Sequence, residues 1–241
     1  MKIRIWHIVV FVLLLAAFAI ASMPAAFVAS RLEGLVFQRA SGSVWNGRLE
    51  GVQARDFEID SVQWRISPFD LIQGKVIAPV QLAGDIEGEV RLLANAKDRR
   101  IMADQLRIEG LPLDNLHLVG VTQIEGLDLF FDDGVCRTAE ARVTSDVLER
   151  SSQALGIHGP PLSGEARCDG DDALIVLGGG TPPGDRVDVV IRLRGDGSGE
   201  WRLAIASQTS EVQAALSVAG FRYDANAAAL VRVEELVWFP S

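Results

Sequence analysis

The sequence predicts a mainly β protein, an antiparallel sheet domain behind one N-terminal transmembrane helix, with two short helices in its second half. Three observations carry that expectation. An uncharged apolar run near the N-terminus is long enough for one bilayer crossing. Beyond residue 34, apolar residues recur mostly at every second position, the period of a strand with one buried face. Turn residues punctuate these runs at short intervals, and only two segments switch to helical spacing.

The N-terminal run follows Lys2 and Arg4 and reads "IWHIVVFVLLLAAFAIASMPAAFVAS", with no charged residue until Arg31. A helix from Ile5 to Ser22 would cover roughly 26 Å, close to one hydrocarbon thickness. Trp6 falls at the cytoplasmic edge, where an indole buries its ring and keeps its N–H wet, and the two cations hold the start inside. Residues 1–4 therefore read as a cytoplasmic tail, 5–23 as the anchor, and the rest as exported. Ala19-Ile20-Ala21 also matches the A-x-A pattern of a cleaved leader, but the run exceeds the usual apolar region of about 7–15 residues, so we read a retained anchor. His7 belongs to the headgroup region; a proton relay needs a second ionisable group, which the segment lacks.

The exported part divides into residues 34–126 and 127–241. In "ASGSVWNGRLEG" (Ala40–Gly51), Asn46-Gly47 predicts a type I′ turn with Val44-Trp45 and Arg48-Leu49 as its arms. Phe57 and Ile59 share one parity and Val62, Trp64 and Ile66 the other, so a bulge or short turn is expected at Asp60-Ser61. Residues 85–93 and 101–109 read as an antiparallel pair. Leu111 to Phe131 reads as shorter runs broken by Gly110, Pro112, Gly120 and Gly126. Residues 187–206 read as a hairpin around "GDGSG", with Val187, Val189, Ile191 and Leu193 on one face.

Two stretches switch to helical spacing. In Thr144–Gly156, Val147, Leu148 and Leu155 share a face, with Ser145 as N-cap and Gly156 past the end. In Thr209–Gly220, Val212, Leu216 and Ala219 do the same between Ser210 and Gly220. Both open Thr-Ser-acidic-Val and both sit between strands, which suggests a duplicated strand–helix–strand unit.

Composition narrows function. The formal net charge of −9 over 241 residues argues against nucleic-acid binding, which needs clustered cations. Cys136 and Cys168 are an even pair outside any metal-ligand spacing. In an oxidising compartment they close a loop of about 33 residues, contributing roughly 3–4 kcal/mol on the chain-entropy model. The competing reading is two unrelated buried thiols. His117 reads as an outward strand residue and His158 as a turn residue, and no nucleophile elbow or zinc helix is present. "GGGTPPGD" (Gly178–Asp185) lacks the Lys-Ser/Thr of a phosphate loop and reads as a mobile loop. "CDGDDA" lacks the Gly and Glu offsets of a calcium loop and reads as a turn. Nothing here points to an enzyme, a cofactor or a metal.

The stretch "SGSVWNGRLEGVQARDFEIDSVQWRISPFDLIQGKV" carries a resemblance. Its Gly42, Val44, Trp45, Gly47, Val62, Trp64, Ile66, Pro68, Leu71, Ile72 and Gly74 resemble the type II secretion system protein N family. That family's second half resembles residues 127–238, including a Cys on either side of the first helix. The resemblance implies a single-pass inner-membrane protein with a β-rich periplasmic domain. It would support export of folded proteins by contact with other subunits of the membrane platform, not by turnover. The motif residues are structural in this reading. Trp45 and Trp64 cover the start of a sheet, Gly42 and Gly47 permit turn geometry, and Pro68 ends a strand. The same pattern is similar, more distantly, to AsmA-like envelope proteins, which implies a curved β-groove whose lining carries lipid.

Overall fold

The computed structural model describes residues 22–29, 35–54, 57–113, 116–154, 159–181, 185–218 and 220–237. After a short helix α1 (Ala25–Ala29) come β1 (Leu35–Gly42), β2 (Asn46–Ala54) and β3 (Phe57–Arg65). Helix α2 (Pro68–Ile72) leads to β4 (Val76–Gly84), β5 (Ile86–Ala94), β6 (Asp98–Leu113), β7 (Leu116–Asp132) and β8 (Val135–Ser145). Helix α3 (Val147–Ala154) precedes β9 (Leu162–Asp169), β10 (Asp172–Thr181), β11 (Asp185–Leu193) and β12 (Ser198–Ala206). Helix α4 (Ser210–Val218), β13 (Arg222–Asp224) and β14 (Ala229–Val237) are the last described elements. The predicted anchor, residues 5–23, lies almost wholly outside the described residues, among which no helix is long and apolar enough to cross a membrane.

Among the described residues, the fourteen strands form one antiparallel sheet in sequence order, except that β14 lies between β12 and β13. The alternation in the sequence shows directly in β8, where Cys136, Ala139, Ala141, Val143 and Ser145 are buried and Arg137, Glu140, Arg142 and Thr144 exposed. Its slip at Arg137-Thr138 coincides with a register shift against Phe130/Phe131. The expected bulge after Ile59 is present, as are the β5/β6 pair and the β11/β12 hairpin.

Leu111 to Phe131 is not a set of short runs. β6 and β7 are long strands, and their glycines supply bulges rather than breaks. Gly110 and Gly126 take positive φ (70° and 61°) where the register shifts, between Glu109 and Leu111 and between Glu125 and Asp128. Likewise Gly178–Thr181 continues β10 instead of looping. Gly179 is there because a Cβ would overlap the Pro161 carbonyl, so the sheet needs its missing side chain for close backbone approach.

The sheet curls. Arg99 of β6 donates to the Gly195 carbonyl in the β11–β12 turn at 2.6 Å, although 96 residues separate them. One core cluster joins Leu129 and Phe131 of β7 to Cys136, Ala139, Ala173 and Leu193. A second joins Ala141 and Val143 to Leu162, Leu177, Val187 and Leu203. The outer face is laced with ion pairs, such as Arg100 with Asp128, whose hydrogen bond raises the arginine pKa. Cys136 and Cys168 are disulfide-bonded with Cα atoms 5.7 Å apart. The β8–β9 ladder pairs Arg142–Ser145 with Leu162–Glu165, and the disulfide ties the two strands together further along.

The helix caps differ from expectation. Ser145 is the last residue of β8 and shares a 2.8 Å hydrogen bond with the Thr122 hydroxyl. Its Oγ also accepts from the Val147 N–H at 3.4 Å, so it touches the first residue of α3 from the strand. The Asp146 carbonyl accepts the first helical bond, from Arg150 N–H. Ser210 is the first residue of α4, not its cap. The α4 terminus does follow the sequence: Gly220 has φ +87°, its N–H bonds the Ser217 carbonyl and Phe221 N–H bonds that of Leu216. That pair of bonds is a Schellman ending. Gly156 and His158 lie outside the described residues, as do His7, Leu155 and Ala219.

Candidate functional site

Two places stand out: the corner where the chain enters the sheet, and an apolar trough inside the curl. The corner is built by the motif residues. The β1–β2 turn is displaced from its expected position, because Gly42 pairs with Gly47 and the amides and carbonyls of Ser43 and Asn46 bond each other at 3.0 and 3.2 Å. Val44-Trp45 is thus the two-residue loop, and neither Asn46 nor Gly47 takes positive φ. The reason is Trp64. Its indole lies against Gly47, where any Cβ would overlap the ring, and its Nε1 donates to the Val44 carbonyl at 2.9 Å. Gly47 is a seat for the indole, and Gly42 takes the positive φ instead, at +82°, which glycine adopts without strain.

Around this seat Trp64, Val62, Leu35, Phe37 and Ala40 pack on the buried Leu49, Val52 and Ile59. Trp45 is half-buried at the tip, and its carbonyl accepts from Ile66 N–H at 2.7 Å. The Val44 amide donates to the Met23 carbonyl at 3.0 Å, and Pro24 bridges to Ser43. Pro68 does not end β3, which stops at Arg65; it opens α2, where its fixed φ suits the first helical position. Gly74 ends that turn at φ +73°. The structure thus gathers Gly42, Val44, Trp45, Gly47, Trp64 and Pro68 at one sheet corner, with Val62 and Gly74 beside it.

The trough was signalled in the sequence only as one-faced alternation. It is a cavity of about 340 Å³ whose walls include Ile124, Val143, Ile175, Ile191, Trp201 and Leu236, with Leu148 of α3 also lining it. Phe57 of β3 and Ile108 of β6 extend the lining into the first half. Its two hydroxyls, Thr122 and Ser145, are bonded to each other. The lining is therefore almost wholly apolar and offers mainly dispersion contacts, a chemistry suited to hydrocarbon. Among the described residues no cluster of three or more His, Cys, Asp or Glu is placed to hold a metal. Asp169 and Asp172 of the "CDGDDA" turn bind Arg192 instead, and Gly170 turns the chain at φ +62°.

The class defined so far is an open antiparallel β-meander, stapled by one disulfide and enclosing an apolar trough. A family model described as "Type II secretion system (T2SS), protein N" matches residues 33–231, and the chain belongs to that family. Membership places it in type II secretion, a protein-transport system of the cell envelope. No curated protein and no solved structure matches the chain.

Proposed function

We propose that this chain is a non-enzymatic component of the type II secretion system, held in the inner membrane by residues 5–23 with its sheet in the periplasm. It supports export of folded proteins across the outer membrane by contact with the inner-membrane platform subunits. The family match over residues 33–231 carries this reading. The charge arrangement around the N-terminal run and the disulfide agree with export to an oxidising compartment.

The test is a strain lacking the protein, with the full chain restored from a plasmid. Exported enzymes should accumulate in the periplasm of the deletion strain and reach the medium on restoration. A reporter that works only in the periplasm, fused after Ser241, should be active in the membrane fraction. Unimpaired secretion in the deletion strain would remove the assignment.

A second reading, a lipid-binding or lipid-transfer groove, is favoured by the apolar trough. It requires phospholipid to copurify with the chain, and outer-membrane sensitivity to detergents in the deletion strain.

A further inference from the structure

Helix α2 buries none of its residues. Phe69 is 74% exposed, Ile72 82% and Leu71 44%, three large apolar side chains on one five-residue turn. The turn is well made. Gln73 N–H bonds the Asp70 carbonyl at 3.1 Å, Gly74 N–H that of Leu71 at 2.9 Å, and Lys75 N–H that of Asp70 at 2.9 Å. The structure thus holds apolar surface out into water, an arrangement whose usual meaning is a binding face.

Its position says what it binds. β1 ends, β2 begins, β3 ends and β4 begins at the same end of the sheet, so α2 shares that end with the Val44-Trp45 turn. The chain arrives there too: Met23 carbonyl accepts from Val44 N–H, and the Trp45 carbonyl accepts from Ile66 N–H, two residues before Pro68. Immediately before Met23 lies the uncharged run 5–22. α3 and α4 are at the opposite end of the sheet. Charge agrees with the placement. The chain as a whole is acidic, at −9, yet α2 is flanked by the exposed cations Arg65 and Lys75, with Asp70 the lone carboxylate from Ser61 to Lys75.

We propose that α2 inserts Phe69, Leu71 and Ile72 into the headgroup–acyl boundary of the bilayer that residues 5–23 anchor, with Arg65 and Lys75 at the level of anionic lipid phosphates. The sheet is then tied to the membrane at two points and holds a fixed orientation above it. This rests on the anchor reading given under Proposed function. The anchor makes insertion intramolecular, so a patch too small to bind a membrane alone engages it at high effective concentration.

The experiment uses the full chain in vesicles of phosphatidylethanolamine and phosphatidylglycerol. A nitroxide is attached to Ile72→Cys and, separately, to Val218→Cys on α4, which is 90% exposed at the far end. The native cysteines are bonded to each other, so only the added thiol reacts. Relaxation by membrane-soluble oxygen and by a water-soluble nickel chelate reports depth. At residue 72 the ratio of oxygen to nickel effect should be several-fold that at residue 218, and it should fall in vesicles of phosphatidylcholine alone. Equal ratios at the two sites, in protein that survives an alkaline wash of the vesicles, overturn the proposal and give the patch to a protein partner. An unchanged ratio in phosphatidylcholine removes the role of Arg65 and Lys75. Protein that washes off the vesicles fails the anchor reading itself and takes this inference with it.

Discussion

The strands β1–β5 and β6–β14 obey the same two-residue alternation, yet only the second group turns it into a continuous core. In β8 every second residue is buried apart from one bulge, and in β1 and β5 no residue is buried at all. The first group's core cluster is Leu49, Val52 and Ile59, with half-buried neighbours. The second group curls over itself, so the inner faces of β7 and β8 meet those of β10 and β11. Alternation marks a face that wants cover; it does not say whether the cover comes from the same chain.

The contrast can be broken most sharply at Phe131, which has no exposed surface and sits where β7 meets Leu193 and Ala173. Phe131→Ala should lower unfolding stability by about 3–5 kcal/mol. Val52→Ala, equally buried but in the thinner group, should cost only about 2 kcal/mol for the methyl groups it removes. In denaturant titrations, a loss at Phe131 no larger than that at Val52 would show that the second core does not pack around the ring. The next effect in size is the disulfide. Replacing Cys136 and Cys168 together by Ser should cost about 2–4 kcal/mol. Amide exchange should quicken across β8–β10 while β1–β3 keep their rates; equal acceleration everywhere would show a single cooperative unit. The smallest is Gly47→Ala. The added methyl displaces the Trp64 indole and lengthens its bond to the Val44 carbonyl, for about 1–3 kcal/mol. Trp fluorescence should shift red with the melting temperature only slightly lowered. An unmoved spectrum would show that the seat tolerates a side chain.

Strand existence and pairing were legible because period two and turn residues act locally. The bulge at Asp60-Ser61 could be read as a parity slip, and the β11–β12 hairpin from its Gly-rich turn. The glycines misled in a consistent way. Asn46-Gly47, Gly126 and Gly178–Gly180 carry turn or break signals, yet each lies within a strand. Gly47 yields to an indole from another strand and Gly179 to a carbonyl before β9, and such tertiary demands leave no mark on neighbouring residues. Ser145 meets the first amide of α3 but stays in β8 for a related reason: its shorter bond is to Thr122, on β7. The corner motif was visible as a set of residues, while its geometry was not. The trough could not be located, because its walls come from strands as distant as β3 and β14.

The sheet order has a consequence for how the molecule comes into being. From β1 to β12 each strand pairs with the one made just before it, so the ladder can zip along the chain as successive hairpins emerge. Only β13 must wait, since its partner β14 is synthesised after it. The long-range steps are the closing ones: the Arg99–Gly195 bond and the arrival of Leu236 against β7–β11. An emerging chain would therefore display a flat, one-sidedly greasy ribbon until its last strand is laid down. The apolar walls of the trough are most open to solvent during that interval, before the final strands fold over them.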